Sequence, residues 1–427
     1  MGLRFMRRPL ALVAGLLWIS AVSGGGVYES LPIRDDEWRL IEESEDLEGY
    51  FNAQSRLYVE PKALDLVRRV GHEIRPYPSD DYIEYEFFLL RDPSPNAFAL
   101  PNGHVYVHTG MLARLSDEHQ LAALLAHEIN HVAGHHGIVN HRAANKTAIA
   151  GLVIGGLGGW GGAVISLGLQ ASVYGYSRDL EQEADDRAVD VLLASRYDPH
   201  ALPEMLDLLG RDYEGLSPRT STVWSTHPEM RARAETSRAL VAGVERRERH
   251  GDAFEAAVMD VRAMTIEDYV QDDFPHTAVA LAESLVARYP EDPRLLHLLG
   301  DAWQGMGAQA PIDAAALSSS DKRHNVRDRA RKTRAQRLAE QLETEEGRTT
   351  YAANLQRAEE TYQRVVALDP TYAPAYRGLG EVYEQQKRSR DAAEAYLSYV
   401  KQAPDAADRS IVVGRLRLLT TQLKVEQ

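Results

Sequence analysis

His127-Glu128-Ile129-Asn130-His131 sets two imidazoles four residues apart, with a carboxylate directly after the first. On a helix such positions stand one turn apart on the same face, so both rings can reach one ion. The pattern is a zinc-binding signature in which the intervening glutamate handles the proton of an attacking water. A catalytic zinc takes three protein ligands and keeps one position open. The third must come from elsewhere. His135 is too distant, because at 1.5 Å per residue it lies about 12 Å along the axis from His127. His136 is expected to point elsewhere and brace the helix end. The better source is Ser177-Arg178-Asp179-Leu180-Glu181-Gln182-Glu183-Ala184-Asp185. Glu181 and Asp185 share a helical face, so one can bind the metal while the other supports a ligand histidine. Glu183 lies roughly 200° round from Glu181 and is expected to face solvent or the opposite side.

These groups need elements to hold them. The apolar approach at 121–126 places the motif inside the fold. Ser116 reads as an N-cap, with Asp117 and Glu118 in the first turn. The helix it opens should run through Leu121, Leu124, Leu125, Ile129 and Val132 towards Gly134 or Gly137. Upstream, Ala63, Leu66, Val67, Val70 and Ile74 recur at helical spacing. Residues 82–90 and 104–108 read as strands. Between them an extended segment from Asn96 ends in a Pro101-Asn102-Gly103 turn. Residues 178–194 read as a helix, with Pro199 marking its end. The stretch 148–173 carries no charge and eight glycines. Its length would permit a membrane span. Each glycine costs a helix about 1 kcal/mol, however, so a mobile apolar hairpin or plug beside the site is expected instead.

Composition narrows the class. The chain has 427 residues, with 48 basic against 63 acidic side chains and a net charge of −15. That balance argues against a nucleic-acid binder. The absence of cysteine excludes a disulfide scaffold, a thiolate zinc finger, an iron–sulfur protein, a cysteine protease and an N-terminal lipoprotein. Arg4, Arg7 and Arg8 precede an apolar run at 9–19, followed by Ala21-Val22-Ser23. These are the parts of a secretory signal peptide over residues 1–23, the apolar run being short for a span of roughly 20 residues. Arg7-Arg8 could make it a twin-arginine signal. The expected product is an acidic protein exported to the periplasm.

Beyond about residue 260 the pattern changes. Tyr376, Leu379, Gly380, Tyr383, Ala392, Tyr396 and Pro404 fall at tetratricopeptide-repeat spacings, and Ala358, Tyr362 and Pro370 each precede an equivalent by 34 residues. Leu299, Gly300 and Trp303 fit an earlier repeat helix, preceded by Ala278 and Pro290. Tyr399 departs from the pattern, which prefers a small residue there. Gly300 and Ala358 are too far apart for an uninterrupted repeat, so an insert is expected around 308–350. Within it, residues 321–337 carry eight basic side chains against Asp321 and Asp328. This run reads as a solvated or disordered segment, or as a docking patch for anionic lipid or an acidic partner. The expected organisation is a signal peptide (1–23), a zinc peptidase domain (24–259) and helical repeats (260–427).

His127 to His131 followed by Glu181-x-x-Ala184-Asp185 resembles the HtpX-like and CAAX-prenyl-endopeptidase-like zinc metallopeptidases, which are gluzincins. The resemblance extends to Asn96-Ala97-Phe98-Ala99 with Gly103, and to His227-Pro228 with Arg233. It covers roughly residues 50–240. With a signal peptide and C-terminal repeats the chain looks most like the periplasmic beta-barrel assembly-enhancing proteases. The resemblance implies an α+β fold, a mostly helical metallopeptidase domain with a small β-sheet, followed by all-α tetratricopeptide-like repeats. It implies one Zn2+, held by His127, His131 and Glu181. Zinc would polarise the scissile carbonyl and acidify a water whose proton Glu128 takes as general base and passes to the leaving amine. Asp185 would act from behind the ligands. His227 would stabilise the oxyanion or close the site as a fourth ligand. The sheet edge in 98–107 would pair with an extended peptide. Expected partners are unfolded or misassembled envelope proteins and, through the repeats, outer-membrane assembly machinery, with peripheral membrane association and no nucleic acid. The alternative is a chaperone or scaffold with a latent, self-capped zinc site. A membrane-integral peptidase would require 148–173 to insert.

Overall fold

A computed structural model describes residues 56–74, 83–139, 176–215, 229–272, 274–307 and 334–425, with scattered positions between 38 and 53. The expected signal peptide, the apolar stretch 148–173, His227 and the basic run up to residue 333 lie outside the described residues. Helix α1 (Pro61–Ile74) buries Ala63, Leu66, Val67, Val70 and Ile74, the periodic face. Strand β1 (Glu86–Leu90) pairs in parallel with β3 (His104–His108). Strand β2 (Ala97–Ala99) pairs with β3 antiparallel, giving the order β1-β3-β2. The first strand thus starts later than residue 82. Of the segment 98–107, β3 is interior and only β2 lies at an edge of the strand order. Gly103 adopts φ 92°, and a Cβ there would sit 2.5 Å from the Glu84 carbonyl oxygen, so the turn into β3 needs glycine.

Helix α2 (Thr109–Arg114) leads into α3 (Glu118–Ala133), whose residues from Glu118 to Val132 are all buried. A helix enclosed on every side must sit between other elements, and α3 packs against α1 and the sheet. The N-cap is Asp117 rather than Ser116. The Asp117 carboxylate accepts from the Gln120 N–H at 2.9 Å, while the Ser116 N–H donates to Gln120 Oε1 at 2.8 Å. Both residues can cap, but the carboxylate also meets the positive end of the helix dipole. Gly134 caps the other end.

Glu118 opens α3 and accepts from Arg69 at 2.9 and 2.7 Å, from Arg196 and from the Tyr197 hydroxyl at 3.1 Å. The Arg69 hydrogen bonds outweigh burial and, with Arg196, hold its carboxyl down at about 2. A depressed folded value contributes stability above the unfolded value of 4.5 and loses it as pH falls towards 2. Glu118→Gln is therefore expected to cost about 1–2 kcal/mol at pH 7, allowing for the exposure of its arginines. Denaturant midpoints of the two proteins should converge as pH drops through that window. A gap that stays constant would remove Glu118 ionisation from the account.

Helices α4 (Arg178–Ala194), α5 (Ala201–Gly215) and α6 (Met230–Leu240) complete the layer around α3. Helix α7 (Asp252–Gln271) is shared. Its Phe254, Val258 and Val261 join the core formed by α1, α3 and the sheet, whereas Ala263, Ile266 and Tyr269 join that of the repeats. The buried Arg262 donates to the Ala113 and Leu115 carbonyls at 3.1 and 2.8 Å. Arg91 grips Asp268 through two bonds of 3.2 and 2.8 Å. These contacts join the two cores through α7.

Helices α8 (Pro275–Arg288), α9 (Pro293–Met306), α10 (Arg334–Leu342), α11 (Glu345–Leu368), α12 (Ala373–Gln385), α13 (Ser389–Gln402) and α14 (Arg409–Val425) follow. The 34-residue period has a steric origin. Tyr362 lies in a notch at Gly300 and Gly378, where a Cβ at Gly300 would be 2.5 Å from the ring. Its hydroxyl donates to Asp301 at 2.5 Å and contacts Gln304 at 3.0 Å. Helix α9 therefore packs directly on α11 despite the intervening chain. Tyr399, the departure from the pattern, is buried and bonds Asp408 just ahead of α14. Among the described residues no helix is long and apolar enough to cross a membrane.

Candidate metal centre

Helix α3 presents His127 and His131 towards α4, which returns Glu181. The His127 and His131 Nε2 atoms are 3.0 Å apart. Glu181 reaches both, Oε2 lying 3.6 Å from His127 Nε2 and Oε1 3.6 Å from His131 Nε2. All three side chains are buried. Donors held about 2.0–2.2 Å from one tetrahedral ion stand roughly 3.3 Å apart, so this spacing fits a zinc-sized cation. Two imidazoles with one carboxylate form a catalytic zinc donor set. Among the described residues this trio is the group able to hold a metal ion.

A second layer orients the first. His127 Nδ1 lies 2.9 Å from Asp185 Oδ1. Arg233, brought in by α6, donates to Asp185 from Nε at 2.7 Å and Nη2 at 2.8 Å, and its Nη1 lies 2.5 Å from Glu181. Burial favours a neutral Asp185, but the Arg233 charge outweighs it, followed by hydrogen bonds from Arg233 and His127. The carboxyl therefore stays well below the usual carboxylate range. Burial works against the Arg233 charge in the same way, and Asp185 then Glu181 overcome it and raise its pKa. Glu128 is 2% exposed and close enough to contribute to that field. Tyr176, just before α4, stacks on His131 with centroids 3.9 Å apart and planes 12° apart. A cavity beside His131 is lined by Ala99, Leu100, Pro101, Val132, Ile138 and Tyr176.

Glu181 and Asp185 share a face, Glu181 reaching both His127 and His131 and Asp185 reaching His127 Nδ1. His135 lines the cavity and is not one of the trio. One expectation needs correction, and the neighbouring Glu183 shares its cause. His136 does not point away, its Nδ1 lying 2.8 Å from His131 Nδ1. Glu183, whose side chain is 28% exposed, turns Oε2 to 3.7 Å from His136 Nε2 and Oε1 to 3.0 Å from Arg187. One backbone feature explains both: His135 is left-handed at φ 52°, which folds His136 back under the end of α3 onto the flank of α4. Burial pushes the His136 imidazole down to about 4, so that ring is neutral near pH 7. Arg233 was visible only as a spacing from His227. Its pairing with two carboxylates and the Tyr176 stacking had no local signal.

Residues 65–241 match the sequence profile of peptidase family M48, and residues 351–407 match a tetratricopeptide repeat. The chain carries a peptidase family M48 domain. The beta-barrel assembly-enhancing protease of Escherichia coli strain K12 is 28% identical over 192 residues, covering 42% of this chain and 39% of that protein. The Yersinia pestis protein of the same name is 26% identical over 199 residues, with 44% and 40% covered. Mitochondrial metalloendopeptidase OMA1 of Schizosaccharomyces pombe is 29% identical over 243 residues, with 51% and 69% covered. The match thus spans about two fifths of the assembly-enhancing proteases. The M48 domain contains the His127, His131 and Glu181 trio, Asp185 and Arg233, and the repeat match covers α12 and α13 with most of α11.

Proposed function

We propose that the chain is a zinc-dependent endopeptidase of the cell envelope that cleaves unfolded or misassembled proteins, including outer-membrane β-barrel polypeptides. The observation that carries this reading is the convergence of two imidazole nitrogens and a carboxylate in the core of an M48 domain. His127, His131 and Glu181 would hold the ion. When bound, zinc polarises the scissile carbonyl and acidifies water. Glu128 takes up the water proton and delivers it to the leaving amine. Asp185, clamped by Arg233, keeps the His127 ring in place. His227, from a Ser-Thr-His-Pro segment outside the described residues, stabilises the oxyanion or closes the site at rest. An extended substrate lies along β2 and places an apolar side chain in the cavity beside His131. The repeats recruit substrate or assembly partners, and α7 links them to the peptidase core. The N-terminal segment 1–23 directs export to the periplasm.

The test is cleavage of a urea-unfolded β-barrel polypeptide and of an unstructured control protein by the full chain. Chelation should abolish cleavage of both, and stoichiometric zinc should restore it. Binding without cleavage would support the scaffold reading instead. Cleavage indifferent to chelation would overturn the zinc assignment.

A further inference from the structure

The contact between His131 and His136 continues outward. His131 Nδ1 and His136 Nδ1 are 2.8 Å apart, and each residue is 1% exposed. Beyond His136, Nε2 faces Glu183 Oε2 at 3.7 Å, and Arg187 holds the other Glu183 oxygen at 3.0 Å. Gly134 makes room for the arrangement, because a Cβ there would fall on the His136 ring.

The direction of the proton-bearing atoms follows from the metal. A neutral imidazole that gives the lone pair of one nitrogen to an ion carries its proton on the other. His131 turns Nε2 towards His127 and Glu181, so its Nδ1 is the donor and His136 Nδ1 the acceptor. His136 then bears its proton on Nε2, the atom aimed at Glu183. Stacking on Tyr176 sets the plane of the His131 ring but does not distinguish two orientations related by a half-turn about Cβ–Cγ, which exchanges Nδ1 with Cδ2. The hydrogen bond to His136 selects the one that turns Nε2 to His127 and Glu181.

We propose that His136, oriented by Glu183, is a positioning residue for the metal centre. It holds the tautomer and rotation of His131 as Asp185 holds those of His127. The inference rests on the reading of His127, His131 and Glu181 as zinc ligands. The two arms differ in kind. His127 meets a carboxylate clamped by Arg233, whereas His131 meets an imidazole with the carboxylate one ring further out.

Zinc affinity of the full chain, measured by competition with a chromophoric chelator, tests the proposal without reference to turnover. His136→Phe keeps a planar ring but removes the acceptor, and should weaken zinc binding roughly 10–100-fold. His136→Asn places an amide oxygen near the lost nitrogen and should recover most of that affinity. Thermal unfolding of the zinc-free proteins separates lost packing from lost orientation. Glu183→Gln lies on the surface side of α4 and should weaken zinc severalfold even if a change at 136 unfolds the chain. Wild-type affinity in His136→Phe, or equal loss in His136→Asn, would overturn the role of His136. Unchanged affinity in Glu183→Gln would overturn that of Glu183. Wild-type protein that takes up no zinc would overturn the metal-centre reading and this inference with it.

Discussion

Glu128→Gln is expected to lower peptidase turnover by about 10²- to 10⁴-fold while leaving fold and zinc content intact, the range for loss of a general base. The substitution is nearly isosteric within the buried α3, and Glu128 is not one of the three residues whose donor atoms converge. Glutamine can still hydrogen-bond but cannot accept and return a proton near neutral pH. The variant also removes one carboxylate from the field around Arg233, an effect that Asp185 and Glu181 outweigh. Turnover of an unstructured substrate, with zinc content and thermal midpoint measured on the same preparation, decides the matter. Wild-type turnover with bound zinc would exclude Glu128 as the base. If activity falls as expected, the variant becomes a trap, and co-purified envelope proteins would identify the natural substrates.

Glu181→Gln should cause the largest fall in zinc affinity among the carboxylate variants, beyond the roughly 10–100-fold typical of outer-layer changes. Glu181 faces both histidine nitrogens at 3.6 Å, so its loss leaves two donors where a catalytic zinc needs three. Asp185→Asn should fall within the 10–100-fold range, because it turns the acceptor of His127 into an amide and leaves all three ligands in place. It should also lower stability, since the buried Arg233 loses its bidentate partner. Metal analysis and thermal unfolding of the two variants separate the effects. Greater zinc loss in Asp185→Asn than in Glu181→Gln would reverse the assignment of the two carboxylates.

The spacing within 127–131 and within 181–185 put each pair on one helical face, because helical geometry converts intervals of four into shared faces whatever packs around them; that Glu181 rather than Asp185 joins the histidines came from the family resemblance. Helix α1 was legible for the same reason, and so was the repeat period, since the Tyr362 and Tyr396 rings require glycine on neighbouring helices. Capping at α3 was misplaced by one residue, Ser116 for Asp117, because adjacent residues of equal capping ability are distinguished only by how the turn closes. Tertiary structure decided what a period cannot express. His136 and Glu183 meet because the backbone at His135 is left-handed, a choice no local pattern dictates. Arg233 serves two carboxylates from a separate helix, and α7 belongs to two cores at once. A helical period says which residues face together; which distant element they then face depends on chain reversals, and those are set by packing of the whole.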